Sequence, residues 1–269
     1  MPIHPRAVVC ALVLGGSAVV LIACGGGSSQ PPPSLRQQTV PANQRLSRRL
    51  VAADRGLRAA IRRWHMGEGP GMGAPPHDVA VRAGYVQRAI QLLARRRRLA
   101  AATIRRLPSR LAREVGDLIA ARTDLRRLSA GSPAHRLRTG PPDPIGELLD
   151  DYRAAQRRFG IRWQVLAAIN FVESAFGRVR SQSVAGAQGP MQFMPATWRA
   201  YGLGGNVRDP HDAILGAANL LHRAGAPGSY SRALYAYNPS RLYVGAVRRY
   251  SRLIERDRKA LYLLYSWRP

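Results

Sequence analysis

Apolar side chains in this sequence recur every three to four residues, and nowhere as a sustained alternation. Leu46, Leu50, Ala53, Leu57, Ala60 and Trp64 keep this spacing, which lines one face of an α-helix. Tyr85, Ala89, Leu92, Leu99 and Leu107 repeat it between His77 and Leu107. Leu111, Val115, Leu118, Ile119 and Leu125 repeat it between Pro108 and Leu128. Gly and Pro punctuate the pattern over 68–76. With no alternating run of strand length, the expected fold class is mostly α. The only cysteines, Cys10 and Cys24, stand near the N-terminus. The body of the chain therefore has no disulfide, no Cys nucleophile and no Cys-ligated metal, and its apolar core must hold it together.

The N-terminus constrains location. An uncharged apolar run from Ala7 to Ala23 follows His4 and Arg6. Its small side chains and marginal length read as a secretory signal over 1–23, with an uncleaved anchor helix as the alternative. It closes on Leu21-Ile22-Ala23-Cys24-Gly25, which resembles a bacterial lipobox. That resemblance implies lipidation of Cys24, membrane attachment through it, and an exported, extracytoplasmic protein. Residues 24–44, rich in Gly, Ser, Pro and Gln, read as a flexible tether. A basic helical region is expected over 45–130, a Pro/Gly linker over 131–144, and a second set of short helices over 145–269. Net charge is +27, and Lys259 is the single lysine among 42 basic residues. Such charge attracts polyanions. Export makes nucleic acid an unsuitable partner and leaves anionic lipid or wall polymer for the Arg-rich helices. A solvated surface with snorkelling Arg stems is the competing reading of the same residues, including the run Arg95 to Arg98.

In the second half, Val165, Ile169, Val172 and Phe176 form a stripe on a helix expected from about Arg162 to Phe176, stopped by Gly177. Glu173 falls about 100° from Val172, at the edge of that stripe. It is the only acid between Tyr152 and Arg208. A carboxyl bordered by Phe171, Val172 and Phe176 is disfavoured in its ionised form, which suits a general acid. Pro195 fits the first turn of a short helix carrying Trp198 and Tyr201. Asp209 and Pro210 fit an N-cap and N1 pair. Further helices are expected around Ser231 to Tyr237 and from Tyr243 onward.

The order of motifs here resembles a known family. Glu173-Ser174-x-x-Gly177-Arg178 is followed by Gly186-Ala187-x-Gly189-x-Met191-Gln192-Phe193-Met194-Pro195-x-Thr197-Trp198. Asp209-Pro210-x-Asp212-Ala213-Ile214, Ala236-Tyr237-Asn238 and Tyr243-Val244-x-x-Val247 come next. The series is similar to the soluble lytic transglycosylase catalytic domain of the lysozyme-like superfamily, over about 145–260. The resemblance implies peptidoglycan glycan strands as partner and substrate, and cleavage of the MurNAc-β-1,4-GlcNAc bond with formation of 1,6-anhydromuramic acid. It assigns Glu173 as acid and then base, and Tyr237 as the hydroxyl that points at Glu173 and orients it. By matched position Ser183, Gln192, Met194, Tyr237 and Asn238 are substrate-binding. No metal or cofactor is implied. The acid that often follows Ala-Tyr-Asn in the family is absent, since Pro239-Ser240-Arg241-Leu242 stands there.

The lone carboxylate agrees with that chemistry, because a two-carboxylate glycosidase needs a partner acid within about 10 Å. Asp209 and Asp212 read better as helix caps. Core packing is the competing reading for Phe193, Met194, Trp198 and Tyr237. Two rival functions stay open: a lysozyme-type hydrolase on the same cleft, and a non-catalytic glycan-binding or scaffolding wall protein. Ser-x-x-Lys, Gly-x-Ser-x-Gly and His-Glu-x-x-His are all absent, which argues against the corresponding acyl-transfer and metallohydrolase chemistries.

Overall fold

The computed structural model describes residues 40–65, 74–131 and 137–269. The signal, the lipidation site at Cys24 and most of the tether lie outside the described residues. Eleven helices and no sheet occur among those described: α1 (Ala42–His65), α2 (His77–Arg95), α3 (Arg97–Ile104), α4 (Ser109–Leu128), α5 (Ile145–Phe159), α6 (Trp163–Ser174), α7 (Pro195–Tyr201), α8 (Pro210–Arg223), α9 (Tyr230–Tyr237), α10 (Arg241–Arg256) and α11 (Lys259–Tyr265). The mostly α expectation holds. None of these helices is long and apolar enough to cross a membrane.

Three boundaries differ from the sequence reading. The helix expected from His77 to Leu107 breaks at Arg96, whose φ of −126° and ψ of 79° leave the helical region. Beyond the break α3 packs on α1 as well as α2. The tail beyond Arg256 forms a separate helix, α11, because Asp257 is extended and its carboxylate caps the Lys259 amide at 3.0 Å. The third change concerns α6, which ends at Ser174 rather than at Phe176. Ala175 and Phe176 both take left-handed φ values of 52° and 61°. The Phe176 amide bonds the Asn170 carbonyl at 3.3 Å and the Ala175 amide bonds the Phe171 carbonyl at 3.0 Å, closing the orphan carbonyls of the last turn. Gly177 serves close approach instead: a Cβ there would collide with the Asp143 carboxylate.

The core surrounds α6. Every residue from Val165 to Ser174 is buried, so the expected one-sided stripe is in fact a helix covered on all faces by α5, α8, α10 and α11. Helix α10 does the main bridging. Its buried residues Tyr243, Ala246, Val247, Tyr250, Leu253 and Ile254 follow helical spacing, and it packs on both α6 and α4. The helices before and after the Pro/Gly segment 131–144 thereby share one apolar core. The described part of that segment runs along 176–181, with Gly140 bonding Arg178, Arg180 bonding Arg138 and Asp143 bonding Phe176 through their backbones.

Aromatic rings extend the connection. Trp64 of α1 meets Tyr262 of α11 edge-on at 5.2 Å. Tyr265 reaches Phe176 at 5.6 Å, and Phe171 of α6 meets Tyr250 at 4.9 Å and Trp267 at 5.9 Å. The edge-to-face contacts among these add about 1 kcal/mol each beyond their area burial. The single lysine completes the tie between α1, α4 and α11. Lys259 is 7 % exposed and its ammonium donates to Asp54 Oδ1 at 2.5 Å and Glu114 Oε1 at 3.0 Å. Arg110 pairs with both acids, and Arg58 joins Asp54 to Asp257. Burial by itself would raise the Asp54 carboxyl, but Lys259 and Arg110 overcome it and hold the pKa below its ordinary value.

Candidate active site

Glu173 sits in the last turn of α6, 5 % exposed. The negative end of the helix dipole disfavours an anion there. Burial acts in the same direction and is the main cause of a carboxyl pKa pushed up to about 8. At neutral pH the group therefore keeps its proton. The one group opposing this shift is the Tyr243 hydroxyl, which interacts with the carboxyl and lowers its pKa in part. Tyr243 Oη makes no full hydrogen bond among the described residues, and catalytic hydrogen bonds often tighten only when substrate binds. No other acidic group contributes to the titration of Glu173.

Tyr237 lies close enough to Glu173 for the carboxylate charge to act on its hydroxyl, but its hydrogen bond goes elsewhere. Its hydroxyl donates to the Met191 carbonyl at 2.6 Å, not to Glu173. The Met191 carbonyl belongs to a tight turn and needs an outside donor, which Tyr237 supplies. The two tyrosine rings stack 6.3 Å apart and 5° from parallel. Both hydroxyls are held far above the ordinary tyrosine pKa by burial first, then by the Glu173 charge. Sequence reasoning placed Tyr243 at the start of a helix and gave it no role. The signal was present in the Tyr243-Val244-x-x-Val247 block, but only α10 packing on α6 brings the ring to the carboxyl.

The turn opposite α6 is built from Gln188 to Phe193. Backbone bonds of 2.9 Å in both directions join Gln188 and Phe193, and the Gln192 amide closes on the Gly189 carbonyl at 3.1 Å. Gly189 has φ of 75°, and a Cβ on it would collide with the Val207 carbonyl. Gln192 takes φ of 49°, a left-handed conformation uncommon for a side-chain-bearing residue and frequent at functional sites. Its Nε2 donates to the Gly189 carbonyl at 2.9 Å, which leaves its Oε1 uncommitted within the turn. Two α6 residues sew this turn to the helix. The Ser174 hydroxyl donates to the Pro190 carbonyl at 2.6 Å and accepts from the Gly177 amide at 2.8 Å. Asn170 Nδ2 faces the Pro190 carbonyl at 3.4 Å and the Met191 sulfur at 3.3 Å. Neither residue was given a role from sequence.

The remaining expected residues fall at different depths. Asn238 is buried, and its Oδ1 has no partner among the described residues. Met194 is half-buried at the N-cap of α7. The Ser183 hydroxyl accepts from the Ala187 amide at 2.9 Å, which shapes the loop before the turn, and keeps its own O–H to donate. Phe193 packs edge-on against Trp198 at 5.1 Å and Tyr237 at 5.8 Å, in keeping with the core reading of Phe193. Asp209 caps α8 by accepting from the Asp212 amide, and Asp212 accepts from the Asn206 amide. Asp209 is thus the helix cap that the sequence suggested, whereas Asp212 ties the preceding loop to α8 and caps no helix. No cluster of three His, Cys, Asp or Glu side chains suited to a metal occurs among the described residues.

A buried protonated acid, two stacked tyrosines and a glycine-dependent turn all lie within one matched segment. Residues 151–257 match the family model of the transglycosylase SLT domain. The chain carries an SLT-type, lysozyme-like catalytic domain. No curated protein and no solved structure matches the chain. The SLT domain family is one of glycan-cleaving transglycosylases, and a domain of this type implies peptidoglycan as the substrate. The matched segment runs from α5 through α10. The SLT domain here is therefore packed from outside its own limits by α4 on α10, and by α11 on α6.

Proposed function

We propose that the protein is a lytic transglycosylase that cleaves the MurNAc-β-1,4-GlcNAc bond of peptidoglycan and closes a 1,6-anhydromuramic ring, with Glu173 as its only acid and base. The observation carrying this reading is the buried Glu173 carboxyl, protonated up to about pH 8 with hydroxyls rather than a second acid beside it. In the first step Glu173 delivers its proton to the glycosidic oxygen as the bond to C1 of the muramyl unit breaks. The 2-acetamido oxygen of the same sugar stabilises the cation-like C1. Glu173, now a carboxylate, removes the proton of the C6 hydroxyl as O6 bonds to C1. The acid is thereby regenerated without water, which is why one carboxyl suffices. The Gln192 Oε1 and Asn238 Oδ1 are suited to receive amide N–H groups of the sugars. Met194 offers an apolar surface to a sugar face.

Mass analysis of peptidoglycan digested by purified protein tests this reading. Muropeptides ending in the anhydro form are expected. Products heavier by one water would make the protein a muramidase, and no products would make it a binding protein.

Tyr243 is proposed to position the carboxyl and to temper its pKa. Tyr243→Phe is expected to lower kcat by roughly 10-fold, within the range for one charge-assisted hydrogen bond. Because the hydroxyl lowers the Glu173 pKa, the same change is expected to move the alkaline limb of the pH–rate profile upward. An unmoved limb would leave Tyr243 a packing residue.

Export and lipid anchoring at Cys24 are proposed on the N-terminal sequence alone. Cys24→Ser is expected to move most of the protein from the membrane to the soluble fraction on cell fractionation. An unchanged distribution would point to retention by an uncleaved helix.

A further inference from the structure

A second concave feature lies beside the proposed active site and takes no part in the chemistry above. It is a pocket of about 340 Å³ walled by Gln188 and Gly189 of the site turn, and lined also by Gln182, Arg138, Arg180 and Arg208. The three arginines come from separate segments of the chain, and no acidic side chain lines the pocket. The backbone sets two of them side by side. The Arg180 amide bonds the Arg138 carbonyl at 2.8 Å, and the Arg138 amide bonds the Ser181 hydroxyl at 3.2 Å. Arg180 is further fixed by the Pro141 carbonyl at 3.1 Å and Asp143 Oδ1 at 3.2 Å. The guanidinium groups of Arg138 and Arg208 make no hydrogen bond or ion pair among the described residues. Arg180 has Asp143 as counter-charge, whereas Arg138 and Arg208 bring two further cations to the same pocket with none, and like charges repel. An anion relieves that repulsion, and the planar guanidinium fork fits a carboxylate bidentately. The two glutamine amides add donors and acceptors of the kind that pair with a peptide backbone.

We propose that this pocket holds the free carboxylates of the peptide stem carried by the muramyl unit being cleaved, so that the protein prefers stem-bearing glycan to bare glycan. The proposal rests on the reading of peptidoglycan cleavage above. The pocket shares a wall with the turn that carries Gln192, so a substituent of a sugar seated at Glu173 would meet it within one strand.

The test compares intact peptidoglycan with the same strands stripped of stems by an amidase. The double variant Arg138→Gln/Arg208→Gln changes exposed side chains with no internal partners, and should keep the wild-type thermal melt. On intact peptidoglycan its KM is expected to rise about tenfold, as for lost charge-assisted hydrogen bonds. On stripped strands it is expected to match the wild type. Equal losses on both substrates, or no loss on either, would overturn the proposal. So would an equal loss in Arg97→Gln/Arg98→Gln, which removes the same charge from exposed positions elsewhere. If the wild type cleaves neither substrate, the cleavage reading fails by itself. Titration with soluble N-acetylmuramyl-tripeptide then decides the pocket: saturable binding that the double variant loses supports it, and absent binding refutes it. Tighter binding of a glycerol-phosphate oligomer than of the tripeptide would assign the pocket to a phosphate polymer instead.

Discussion

Glu173→Gln is expected to reduce release of anhydro-muropeptides by at least about 10³-fold, toward the upper end of what one general acid–base group contributes. No second acid stands by to take over its proton transfers. The wild-type rate is expected to fall as pH rises through about 8, because the resting enzyme must hold the proton it donates. The same substitution should affect stability in the opposite direction. The carboxyl pKa is about 8 in the folded protein, against an ordinary 4.5. Below that lower value both states are protonated and Glu173 has no effect on folding. Between the two values the folded state binds a proton that the unfolded chain has released, so stability from this group declines as pH rises. Gln carries no such titration. The variant is therefore expected to equal the wild type near pH 4 and exceed it by about 1–3 kcal/mol near pH 8.5, since part of the gain goes to seating the amide. Urea midpoints at the two pH values check this. A variant that is less stable at pH 8.5 would mean that Glu173 is better solvated than its burial indicates.

Lys259→Met is the second large effect. It leaves Asp54 and Glu114 facing each other in a site that Lys259 neutralises at 2.5 and 3.0 Å. Removing one member of a buried ion cluster typically costs about 3–5 kcal/mol. The lower end applies here, because Arg110 and Arg58 still hold Asp54. For a chain of this size a loss of about 3 kcal/mol corresponds to a fall in Tm of roughly 6–12 °C. Thermal unfolding followed by circular dichroism reads it directly. Adding Asp54→Asn should recover part of the loss, since it removes one of the stranded charges. If Lys259→Met alone melts with the wild type, the cluster is solvated and does not hold α1 and α4 to α11. The expected loss matters for activity as well, because α4 packs on α10 and α10 carries Tyr243.

Much of this molecule was determined by sequence alone. Helical spacing in a chain without strand alternation fixed an all-helical core, and the Asp209-Pro210 pair fixed the start of α8 through local capping chemistry. The isolation of Glu173 in the sequence already pointed to single-acid chemistry. These features depend on neighbours a few residues away, which a sequence displays directly. The tertiary structure decided the rest. Burial of α6 on every side, rather than along one stripe, sets the protonation of Glu173, and it depends on α11 and α10 arriving from far along the chain. The same packing brings both tyrosines within reach of the Glu173 charge, with Tyr237 donating to the Met191 carbonyl and Tyr243 interacting with the carboxyl. The sequence displayed an apolar stripe and a basic surface on the helices before residue 130, but not what that stripe packs against. Their inward faces and the Lys259 cluster reveal them as part of the wall that supports the site, through contacts as distant as Asp54 to Lys259, and no local periodicity encodes such a pairing.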